Sequence, residues 1–116
     1  MNAKGKLPEW VVEYVCAVVR GYGARVRYMA VCDGHGNKVY RLYSQLNEII
    51  DGALAEVCTE GEGQWIRLSI SEGMTWERAT GCPCGRRRFY ELKYQAIEEI
   101  ARRLNIWTAP WGGART

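Results

Sequence analysis

A chain of 116 residues with 47% hydrophobic and 25% charged side chains is long enough for one modest core, and its composition is not that of a disordered chain. The formal net charge is +3, too small to imply a polyanion partner by itself. No apolar run approaches the roughly 18 residues of a membrane span, and MNAKGKLPEW lacks the apolar stretch of an export signal, so no membrane partner and a cytoplasmic location are expected.

The charge is unevenly placed. Residues 1–63 carry 7 Lys and Arg against 8 Asp and Glu, a net −1; residues 64–116 carry 9 against 5, a net +4. The five cysteines are an odd number, and without an export signal they are expected to be free thiols.

Residues 1–7 read as a frayed tail. Pro8 suits a helix start, where its missing N–H costs nothing. Val11, Val12, Val15, Val18, Val19 and Tyr22 follow at helical spacing, with Cys16 a small core side chain among them. Gly21 and Gly23 weaken or end this helix. Its β-branched residues leave 25–31 open to a strand or a further turn or two of helix, and helix is preferred because the apolar residues do not alternate. CDGHGNK, residues 32–38, is a break rich in turn formers. A long amphipathic helix follows, with Val39, Leu42, Tyr43, Leu46, Ile49, Ile50, Ala53, Leu54 and Val57 on one face. TEGEG (59–63) ends it, and 64–71 is a short helix with Trp65, Leu68 and Ile66 inward. Gly73 is a stop. Thr75 can cap a short helix over 76–80, GCPCG breaks the chain, and a last long helix runs over 86–104 with Phe89, Leu92, Ala96, Ile100 and Leu104 inward. The tail 105–116 is barred from helix by Pro110 and Gly112-Gly113.

The expected fold is all-α in a single domain: N-terminal helices over 8–60, a helix-turn-helix over 64–104 whose second member is a long recognition helix, and the tail. In such a unit the N-terminal turns of the recognition helix meet bases and phosphates. Arg86, Arg87 and Arg88 stand there, and a guanidinium can bond a guanine edge or a phosphate with two N–H groups at once. Three cations at a helix N-terminus oppose the macrodipole unless an anion binds, although charge alone suits a solvated basic turn equally well. Tyr90, Glu91 and Tyr94 are placed on the exposed side of this helix, Lys93 is a phosphate contact, and Phe89, Leu92 and Ala96 are expected to face Trp76 and Ala79.

Other chemistry is thin. Cys82 and Cys84 have C-x-C spacing, not the C-x₂₋₄-C of structural zinc, and His35, Cys32 and Cys58 are scattered singly, so no metal is expected. GYG and GHG lack a nucleotide-binding frame, and His35 has no indicated partner for base catalysis. No cofactor and no enzyme activity are expected.

The run TWERATGCPCGRRRFYELKYQAIEEIA resembles the C-terminal segment of RinA/ArpU-type phage transcription regulators, whose helix-turn-helix is similar to region 4 of sigma-70 factors. The matching positions are Thr75-Trp76-Glu77, Ala79, Gly81 to Gly85, Phe89-Tyr90 and Ala96-Ile97. PEWVVEYV and the long helix after it add a weaker likeness. Arg78 departs from the family's isoleucine, Gly85 from its Ser or Thr cap, and Cys82-Pro83-Cys84 is unusual. The resemblance implies sequence-specific binding of double-stranded DNA and late-gene control in a phage or prophage, within a bacterial host cell. It assigns the DNA contacts to Arg86, Arg87, Arg88, Tyr90, Glu91, Lys93, Tyr94 and Thr75. Two alternatives share the shape: a small terminase-like packaging or assembly adaptor, and a module that docks on RNA polymerase. Trp107, Trp111 and apolar surface on the N-terminal helices leave room for a homodimer, which would set two recognition helices about 34 Å apart, one DNA turn.

Overall fold

The computed structural model describes residues 7–32 and 37–108. His35, most of the 32–38 break, Pro110 and Trp111 lie outside the described residues. The described chain is all helical: α1 (Glu9–Arg20), α2 (Tyr22–Val31), α3 (Lys38–Val57), α4 (Gly63–Glu72), a single 3₁₀ turn (Trp76–Arg78) and α5 (Arg86–Arg103). No described helix is long and apolar enough to cross a membrane.

The ends follow local chemistry. Pro8 precedes α1, Gly21 forms the corner between α1 and α2, and the Asn37 side chain caps α3 by accepting from the Tyr40 N–H at 2.6 Å. Gly73 closes α4 in the left-handed region at φ 72°, where an L side chain would be strained. The expected short helix over 76–80 is not an α-helix. The N–H groups of Arg78 and Ala79 bond to the carbonyls of Thr75 and Trp76, three residues back. The chain then leaves helical geometry at Ala79, which is buried in the core at φ −89°, ψ 66°.

α5 is the central element, packed on α1, α3, α4 and the 3₁₀ turn. Its Phe89, Leu92, Ala96, Ile97, Ile100 and Ala101 meet Val11, Val15 and Val19 of α1, Ile50, Ala53 and Leu54 of α3, Ile66 and Ile70 of α4, and Ala79. Two expected inner faces are corrected. In α4 the buried apolar residues are Ile66 and Ile70, with Trp65 and Leu68 half-buried. In α3 the buried residues begin at Asn47, and Val39 and Leu42 are 44% and 51% exposed. At ~1.5 Å per residue, the 20-residue α3 is about 30 Å long. Its first half overhangs the core and carries α2, which rests on α3 and only narrowly on α1.

A buried guanidinium ties this overhang down. Arg25, 8% exposed, donates from Nε to Asn47 Oδ1 at 2.7 Å and from Nη2 to the Val18 carbonyl, while Asn47 donates to the Tyr22 carbonyl at 3.3 Å. Burial pushes the Arg25 pKa down. Neutral acceptors meet its donors, so the core takes in the charge without leaving those N–H groups unpaired.

Candidate nucleic-acid interface

α5 begins at Gly85, whose backbone is extended (φ −79°, ψ 176°) and which has no side chain to cap the helix. No acidic residue stands in its first turn. Successive residues of an α-helix point about 100° apart, so Arg86, Arg87 and Arg88 fan out in three directions. Arg86 turns back to the 3₁₀ turn, with Nε 3.2 Å from Glu77 Oε2 and its guanidinium 5.4 Å over the Tyr90 ring. Arg87 projects outward with its side chain 92% exposed, 3.3 Å from Glu91 one turn along. Arg88 turns to the other flank and grips Glu62 with two bonds, 2.7 and 3.2 Å.

The three ion pairs differ in kind. Glu77 and Glu91 side chains are 59% and 56% exposed, so these pairs are water-screened and contribute about 0–1 kcal/mol each. A phosphate can displace such a partner. The Glu62 side chain is 4% exposed. The Arg88 guanidinium holds its carboxyl far below the usual range, at about 2, with help from the Thr59 N–H that donates at 2.8 Å. Arg88 therefore fastens α5 to the start of α4 and is the least releasable of the three. Glu62 is the residue missed from the sequence. Thr59 and Glu62 have the T-x-x-E spacing of a capping box, and Glu62 reaches back to the Thr59 N–H as that motif does.

The remaining residues divide between surface and scaffold. Tyr90 and Tyr94 are half-buried, not on the exposed side. The Tyr90 hydroxyl accepts the Trp76 N–H at 3.1 Å, and the Tyr94 hydroxyl accepts the Leu7 N–H at 2.8 Å, a tie across 87 residues. Trp76 donates its indole N–H to the Cys84 carbonyl at 3.0 Å, so this side chain pins the 3₁₀ turn to the loop before α5. Glu91 is exposed, Lys93 is half-buried, and Thr75 is exposed with extended backbone but no side-chain cap bond. Arg78, exposed, makes no ion pair among the described residues. The start of α5 thus gathers Arg86, Arg87 and Tyr90 beside Glu77 of the 3₁₀ turn; Arg88 turns to the other flank, and Tyr94 stands about 6 Å beyond Tyr90 along α5.

Cys82 and Cys84 place their sulfurs 3.5 Å apart, and no group of three His, Cys, Asp or Glu among the described residues is arranged to hold an ion. Burial pushes the Cys58 and Cys84 thiols up to about 11, so both are protonated and poorly nucleophilic at neutral pH. Phe89 and Ala79 share the core as expected, with Trp76 half-buried beside them. No family model, curated protein or solved structure matches the chain.

Proposed function

We propose that this protein is a sequence-specific double-stranded DNA-binding transcriptional regulator, of the phage or prophage late-gene kind that its C-terminal motif resembles. The observation that carries the reading is the exposed, uncapped N-terminus of α5, where Arg87 projects with its side chain 92% exposed beside Arg86 at 64%. Arg86 and Arg87 are the base or phosphate contacts, releasable from their screened carboxylates. Arg78 and Lys93 are phosphate contacts. Tyr90, Tyr94 and Arg88 hold α5 at its angle. Thr75 and Glu91 flank the surface.

The test is binding to a pool of fluorescent duplexes drawn from the DNA around the coding region, at several salt concentrations. A salt-dependent preference for one fragment is expected. Arg86→Ala with Arg87→Ala should weaken binding and make the logarithmic salt slope shallower by about 2, since each phosphate contact contributes roughly 0.9. Equal weak binding to every fragment would refute sequence reading.

One observation favours a second reading. All three arginines already face carboxylates, which lowers the net positive field at this end. A surface of mixed charge suits a module that docks on RNA polymerase, and that module would bind polymerase and ignore DNA. A terminase-like adaptor would instead appear as a ring in native mass measurement.

A further inference from the structure

Cys82 and Cys84 take no part in the proposed DNA contacts, yet their two sulfurs stand in contact, 3.5 Å apart. The loop holds them so from both ends. The Cys82 N–H donates to the Ala79 carbonyl at 3.0 Å, and the Cys84 carbonyl accepts the Trp76 indole N–H at 3.0 Å. Between them the ring of Pro83 fixes its own φ, and it lies over Gly61, where an added Cβ would come within 3.5 Å of it. Both thiols are half-buried, while Gly81, Pro83 and Gly85 around them are exposed.

Packing alone asks for two small apolar groups at these positions. It does not ask for two sulfurs within reach of each other. Residues two apart have Cα atoms at most about 7 Å from each other, the upper end of the span a disulfide bridges. A sulfur–sulfur bond is about 2 Å long, so a pair held at 3.5 Å closes with about 1.5 Å of side-chain movement. We infer that Cys82 and Cys84 are a reversible dithiol–disulfide pair, a modification site whose oxidant is a small-molecule disulfide of the glutathione class.

Cys82 reacts first. Cys84 is the poorer nucleophile, because burial and its bond with Cys82 push its thiol up to about 11. The Cys82 thiol gives its proton to water, and the thiolate attacks one sulfur of the small disulfide. That bond breaks, one small thiolate leaves and takes up a proton, and Cys82 carries a mixed disulfide. The Cys84 thiol then loses its proton and attacks the Cys82 sulfur. The Cys82–Cys84 bond forms and the second small thiol leaves. Two protein thiols are thereby oxidised by two electrons, and one small disulfide is reduced to two thiols. Attack within one loop offsets the small thiolate fraction of Cys84. Closure acts where the chain enters α5. Residues 81–85 join the 3₁₀ turn to that helix, so drawing the loop in pulls on the two bonds that pin it and shifts the first turn of α5. The inference does not depend on what α5 binds.

The test equilibrates the full chain with mixtures of reduced and oxidised glutathione, without air, and quenches with excess N-ethylmaleimide in urea. Trypsin then releases the peptide 79–86 by cutting after Arg78 and Arg86. That peptide is expected without maleimide and two hydrogens lighter than the dithiol, while Cys16, Cys32 and Cys58 carry maleimide. Dithiothreitol should restore both thiols. The equilibrium constant for closure should be about tenfold or more larger in the native chain than in urea, where the bonds that hold the loop are gone. Cys84→Ser should stop at the first step, with one glutathione on Cys82. The inference is overturned by a wild type whose two thiols both carry maleimide at every glutathione ratio, or by a Cys58–Cys82 link in place of the pair. It is equally overturned by a closure constant no larger in the native than in the unfolded chain, or by a Cys84→Ser chain with no adduct on Cys82.

Discussion

Replacing Glu62 with Gln removes one buried charge from the start of α4 and keeps the shape. The amide oxygen can still accept from the Thr59 N–H, so the loss isolates the pairing with Arg88. The carboxyl stands at about 2 in the folded chain against an ordinary 4.5. At about 1.4 kcal/mol per unit, that gap corresponds to roughly 3 kcal/mol. Arg88 is itself 48% exposed, and water around its guanidinium reduces the figure to about 2 kcal/mol. Because the folded-state value is depressed, the stabilisation is complete above the unfolded-state value and disappears as pH falls through the window from about 5 to about 2. Glu62→Gln should therefore lower the unfolding midpoint by on the order of 10 °C at pH 7, and its deficit against wild type should close as pH falls toward 2. Paired urea titrations at pH 7, 5, 4 and 3 measure this directly. A deficit as large at pH 3 as at pH 7, or one below about 0.5 kcal/mol at pH 7, would refute the assignment of Arg88 as a structural partner and return it to the proposed DNA contacts.

Three further outcomes are expected. A Cβ added at Gly81 would lie 2.9 Å from Cζ2 of Trp65, so Gly81→Ala should destabilise by about 1–3 kcal/mol in urea unfolding, and an unchanged midpoint would mean the indole swings away at no cost. Asn47→Ala strips the Arg25 Nε of its acceptor in a site 8% exposed and should cost about 1–3 kcal/mol; a neutral result would show that water already reaches that guanidinium. Cys58 and Cys84, with thiols pushed up to about 11, should react with iodoacetamide at pH 7.5 far more slowly in the native than in the unfolded chain, as read by peptide mass mapping; similar rates in both states would contradict their burial.

The sequence by itself determined the helices. Valines at three and four residue spacing, Pro8, Asn37, Gly73 and Gly85 are local signals, and each acts within one or two turns of chain, so α1, α3, α4 and α5 lie close to where periodicity puts them. Trp76, Ala79 and Phe89 were also legible as one contact cluster, because the motif spaces them closely. What helical periodicity does not carry is the length of the core. Val39 and Leu42 continue the same stripe as Ile50 and Leu54, yet they are exposed because the core that buries Ile50, Ala53 and Leu54 covers only the second half of α3, while α2 lies along a different face of its first half. The same limit explains the tyrosines. Tyr90 and Tyr94 look outward on a helical wheel, but Trp76 and Leu7 arrive over them from other parts of the chain. It also explains the arginines. Three neighbours in sequence became a clasp on Glu62, a water-screened pair with Glu77 and a projecting side chain, because a 100° step per residue points each in a different direction, and only the packing of α4 and the 3₁₀ turn decided which element stood there.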